Sequence, residues 1–224
     1  FGSEQLLATS ETRATVERHA DWYGTWATAE LTRLRGGVMD AGVSIIERER
    51  PNLLAALRWS LSENDEPRAL STGLPLSTMW LGRDYFDEGV EWIGRMIVSL
   101  SPSPRLGAIR ICLSAMLLSH NADAAGALEH ARDGVEMLKS ARDGPLAWLE
   151  TVGMSMQAIA LSRTGRADEA RKAFDASVSA AREAGDLYAL ASNLCSSRVG
   201  WPDRASERRV LAEATEILRS LDSD

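Results

Sequence analysis

Lysine is almost missing from this sequence: Lys139 and Lys172 are the only two among 25 basic residues, and 32 acidic residues bring the formal net charge to −7. Proteins that bind nucleic acid displace counterions with a basic stripe, and no window of the chain holds one, so direct contact with DNA or RNA is not expected. Cysteine is as scarce. Cys112 and Cys195 lie 83 positions apart without a Cys-x-x-Cys spacing, which argues against a zinc ligand set or redox pair and predicts two buried free thiols. Long apolar runs are missing too. The stretch Trp92-Ile93-Gly94-Arg95-Met96-Ile97-Val98 is broken by charge, well short of the ~20 apolar residues that cross a bilayer. No secretory leader opens the chain, and the cytoplasm is the expected compartment.

Catalytic signatures are equally thin. There is no Gly-x-x-x-x-Gly-Lys-Ser/Thr loop to cradle phosphates, no Gly-x-Gly-x-x-Gly and no Gly-x-Ser-x-Gly. The reading is that the chain is not an enzyme and has no catalytic residues, cofactor or metal. The densest carboxylate group, Asp84, Asp87, Glu88 and Glu91, lacks the alternating ligands and terminal glutamate of a calcium loop. It reads instead as acids meeting the positive end of a helix dipole. His19 stands four residues before Tyr23 on one helical face and reads as a packing or surface partner, while His120 and His130 flank a turn.

What is present is helical periodicity from end to end, with 45% apolar content and no strand-like alternation. Residues 158–185 carry Ala158 and Leu161, a turn at Gly165, then Ala170, Phe174, Val178 and Ala181 at steps of four, four and three. Small residues at such spacing are those of a tetratricopeptide-like hairpin, which needs neighbours of its own kind to bury its stripe. Further helices are expected from Glu11 to Leu34 behind a Ser10 cap and ended by Gly36-Gly37. The next runs from Val38 to Leu61, with a break near Glu49 or Arg50 before Pro51. Another follows from the Asp65 cap to about Leu81, with a kink at Pro75. Others span Tyr85 to Leu100, Arg105 to His120, Ala124 to Lys139, a start at Pro145, Leu187 to Val199, and a last one after Gly200-Trp201-Pro202. Intra-hairpin turns placed near Gly36, Asp84, Asn121, Gly165 and Pro202 fall 48, 37, 44 and 37 residues apart, against ~34 for a standard tetratricopeptide unit. The expected fold class is all-α: a right-handed superhelix of about five stacked antiparallel hairpins.

A second signal lies in the first hundred residues. The segments Arg18-His19-Ala20-Asp21-Trp22-Tyr23, Glu49-Arg50-Pro51-Asn52-Leu53-Leu54-Ala55-Ala56-Leu57-Arg58-Trp59-Ser60-Leu61, Trp80, and Glu88-Gly89-Val90-Glu91-Trp92-Ile93 resemble the start of the helical repeat region in bacterial LuxR-type and related signal-transduction ATPases. The opening Phe1-Gly-Ser-Glu-Gln-Leu-Leu7 is similar to the tail of the winged-helix domain that precedes such repeats. The resemblance implies residues 1–10 as that tail and 11–224 as the repeat domain, part of a longer transcriptional regulator. It implies a sensor that biases neighbouring ATPase and DNA-binding domains.

Seven tryptophans are many for this length, and Trp22 and Trp26 are spaced to share a helix face, either as packing knobs or as a ligand surface. The candidate binding residues are Trp22, Trp26, Trp80, Arg110 and Arg163, on a concave surface built by the first helix of each pair. The expected occupant is a protein partner or a small-molecule inducer. The alternatives are a structural oligomerisation scaffold, with the chain as a homo-oligomer, or an enzyme with an unrecognised site.

Overall fold

A computed structural model describes residues 10–34, 39–141, 146, 148–196 and 204–221, the side chains at 10–12, 31–34, 39–41, 196, 204 and 206 excepted. Eleven α-helices and one 3-10 turn, with no strand, make up the regular structure of the described residues. They are α1 (Ser10–Leu34), α2 (Met39–Arg48), α3 (Arg50–Ser62), α4 (Glu66–Gly82), α5 (Phe86–Ser99), α6 (Pro104–Ser119), α7 (Ala124–Leu138), α8 (Trp148–Arg163), α9 (Ala167–Glu183), α10 (Leu187–Ser196) and α11 (Arg204–Leu221). The all-α class stands. The expected Ser10 cap, the Gly36-Gly37 stop, the helix start at Pro145, the Gly200-Trp201-Pro202 turn and the tail at residues 1–9 lie outside what is described.

The chain divides into two compact units, residues 1–101 and 102–224. In the first, Pro51 sits in the opening turn of α3, and the chain leaves helical geometry at Glu49 (φ −92°, ψ 4°), two residues before the proline whose missing amide cannot continue the preceding helix. Asp65 caps α4, its Oδ1 accepting from the Arg68 amide at 3.2 Å. α4 continues through Pro75. Arg13 pairs with Glu63 and the Tyr23 hydroxyl with Glu49, so α1 runs antiparallel to α3. Asp21 meets Arg68, and Gly24 abuts Ser71 and Thr72, so it runs parallel to α4. α4 packs against α1, α2, α3 and α5, which buries Leu70, Leu74, Leu76, Met79 and Trp80 together.

In the second unit α6 and α7 are antiparallel: Gly107 lies against Gly134 and Ser114 Oγ donates to the Ala127 carbonyl at 2.8 Å. A Cβ at Gly107 would stand 2.8 Å from Gly134 O, and one at Gly153 would stand 2.6 Å from Val135 Cγ2. Glycine is therefore what lets these backbones approach. α6 packs on α8 and α8 on α10, each besides its own sequence neighbours. Small residues recur in two apolar clusters of this unit: Ala127, Ala160 and Ala170 in one, Ala181, Ala189 and Ala214 in the other. Phe174 is buried, as its spacing predicts.

Five turns share one construction. Asn64, Asp84, Asn121, Gly165 and Gly185 have φ of 55°, 57°, 53°, 80° and 65°. In each case the next residue's amide bonds a carbonyl five positions back: Asp65 to Ser60, Tyr85 to Trp80, Ala122 to Leu117, Arg166 to Leu161 and Asp186 to Ala181, at 2.8–3.2 Å. This left-handed closure satisfies the carbonyls a helix end leaves open. The turns at Asn64 and Gly185, which the sequence pattern does not place within a hairpin, are as tight as those at Asp84, Asn121 and Gly165, which it does. One expectation fails: Cys112 is buried but Cys195 is exposed, because α10 turns it away from the face that buries Leu190 and Leu194.

Candidate interaction surface

On α1, Ala20, Gly24 and Ala27 are buried and turn the intervening aromatics to the helix's open side. His19 and Tyr23 rings lie 4.6 Å apart, as their i, i+4 spacing predicts. Trp22 and Trp26 stack with centroids 6.1 Å apart and planes within 7°, and Tyr23 meets both edge-on. Trp22 is 57% exposed. Tyr23 is anchored from below: its hydroxyl donates to Glu49 Oε2 at 2.9 Å, and Asn52 Nδ2 donates to the same oxygen at 2.8 Å. Those two bonds hold the Glu49 carboxyl below the usual range, while burial and the Glu49 carboxylate push the Tyr23 hydroxyl up.

Beside Trp22 a cavity of about 230 Å³ opens between α1 and the start of α4, lined by Asp21, Gly24, Thr25, Asp65, Pro67, Arg68 and Ser71. Arg68 is fixed in its wall: Nε donates to Asp21 Oδ1 at 2.8 Å, Nη1 to Asp65 Oδ2 at 2.5 Å, and the guanidinium lies 5.0 Å over the Trp59 ring.

Of the five residues singled out from sequence, Trp22 and Trp26 are brought together on this face. Trp80 is a correction. It is fully buried, because α4 is enclosed by four helices, and its indole donates to Glu88 Oε1 at 3.3 Å; it offers nothing to a partner. Arg110 and Arg163 belong to the second unit and serve helix seams. Arg110 Nη1 reaches His130 Nδ1 at 3.0 Å and Asp133 Oδ2 at 2.9 Å, with 14% of its side chain exposed. Arg163, from the end of α8, donates to the Leu118 carbonyl and, at 3.3 Å, to Asn121 Oδ1, closing the C-terminus of α6.

Several of the residues that carry the resemblance pair with one another or with near neighbours. Glu88 takes Arg50 as well as Trp80; Arg50 lies 4.8 Å over the Tyr85 ring, and Arg58 5.6 Å over that of Trp92. Glu91 pairs with Arg95 at 2.6 Å. Among the described residues no group of three or more His, Cys, Asp or Glu side chains is placed to hold a metal ion, and no helix is long and apolar enough to cross a membrane. The cavity was missed in sequence because its two sides, Asp21 and Arg68, are 47 positions apart; the only local hint is Asp21 standing beside an unusually placed tryptophan.

Comparison with protein-family models, with curated proteins and with solved structures found no match for this chain.

Proposed function

We propose that the chain is a non-catalytic interaction module built of tetratricopeptide-like hairpins, belonging to a larger bacterial transcriptional regulator of the LuxR-type ATPase kind. The architectural half of this reading, a right-handed superhelical stack, is supported by the shared turn closure and by the α6–α8–α10 packing, both habits of helix pairs that bury their stripes against the next pair. One observation carries the functional half: Trp22, more than half exposed, is held in place by Trp26 and Tyr23. A large aromatic already ordered before binding loses little entropy on contact and is the residue type that dominates interface energy. A protein is the favoured partner over a small inducer, since the adjoining cavity of about 230 Å³ falls below the ~300–1,000 Å³ of small-molecule pockets. Binding there biases the neighbouring domains only as far as the partner distinguishes their resting and active states.

Trp22→Ala is the test. An exposed side chain contributes within about 0.5 kcal/mol to stability, so the variant should accumulate and melt like the parent. In a transcription assay of the full-length regulator it should lose the regulated response. An unchanged response would overturn the reading. A scaffold role has one observation of its own, Val98 on α5 at 88% exposure with Val90 also exposed. Light scattering that finds the chain monomeric at micromolar concentration removes it.

A further inference from the structure

We infer that the cavity beside Trp22 receives a basic side chain, lysine or arginine, from the protein partner; this rests on the interaction reading above and adds the partner's chemistry. The walls hold two carboxylates, Asp21 and Asp65, against one guanidinium. Arg68 has its donors committed to those two carboxylates and its face to Trp59, so it has little left to offer an anion. Asp21 is different. Both Arg68 bonds go to its Oδ1, its side chain is 58% exposed, and Oδ2 keeps its lone pairs for a second donor.

Trp22 supplies a separate, apolar element. It precedes Thr25, which lines the cavity, by one helical turn, so its exposed indole stands next to the cavity without lining it. Long basic side chains ask for this pairing, an apolar surface for the methylene stem or the cation and an acceptor for the head. The volume suits one side chain. The protein's net charge of −7 draws cationic segments toward it and gives the encounter a salt dependence.

The experiment is a titration of the whole chain, followed by amide and indole NMR signals, with a short blocked peptide carrying one lysine and a matched peptide carrying glutamate there. The lysine peptide should shift the Gly24 and Thr25 amides and the Trp22 indole, less so as salt is raised, and the glutamate peptide should not. Asp21→Asn should weaken the lysine peptide about threefold, the scale of an exposed ion pair. Gly24→Ala guards against a merely disturbed Arg68. Its Cβ would sit 3.6 Å from Arg68 Cγ and Thr72 Oγ1, an ordinary contact the fold tolerates, yet it narrows the cavity and should weaken binding with stability intact. Equal shifts from both peptides, or none at these three signals, overturn the inference. The interaction reading itself falls only with the Trp22→Ala transcription result.

Discussion

Histidine 130 and the two cysteines show how neighbours set the chemistry of single residues. Burial, and then the Arg110 guanidinium, push the His130 imidazole below its ordinary range, against the opposing pull of Glu129, Asp133 and Asp123. A histidine that takes its proton more readily unfolded than folded makes the fold less stable as pH falls from its unfolded value of about 6.5 down through its folded one. NMR titration should therefore place the His130 midpoint below that of an exposed histidine, and Arg110→Gln should move it up. The cysteines should separate cleanly. Burial drives the Cys112 thiol up to about 12, whereas Cys195 is exposed. A thiol reagent near neutral pH should label Cys195 in the native chain and reach Cys112 only on unfolding.

Two glycines with opposite surroundings test the packing of helical elements. Glycine inside a helix costs about 1 kcal/mol relative to alanine, so Gly94→Ala on α5, where a Cβ would meet nothing within 4 Å, should stabilise by roughly that amount. Gly107→Ala should do the reverse. Its Cβ would press on Gly134 O and Met137 Cβ at 2.8 Å, and forcing two backbones apart costs about 1–3 kcal/mol. Urea midpoints of the two variants should move in opposite directions. Most helix limits were legible because caps and breakers are local chemistry: Asp65, Pro51 and Ser101-Pro-Ser-Pro104 mark ends within a residue or two of those observed. The equivalence of the turns was not legible. Asn, Asp and Gly can each take a left-handed φ, and sequence does not say which of them closes a helix end five residues back.

Across the whole molecule, each compact unit has to bury its own apolar surface. In the second, Phe174 is a large side chain on a helix otherwise packed through alanine and serine, and truncating it to alanine should cost about 3–5 kcal/mol in a urea titration. By itself the sequence determined the helical class, most boundaries and the absence of familiar catalytic loops, because periodicity, capping and proline act over a few neighbouring residues. Only tertiary structure decided which chemically similar side chains are available. Trp22 lies open while Trp80 is enclosed by four helices; Arg110 is tucked into a helix seam, and Arg163, though exposed, donates to the end of α6. Exposure depends on what packs from distant positions, and a tryptophan on a helix carries no local mark of whether another helix will cover it.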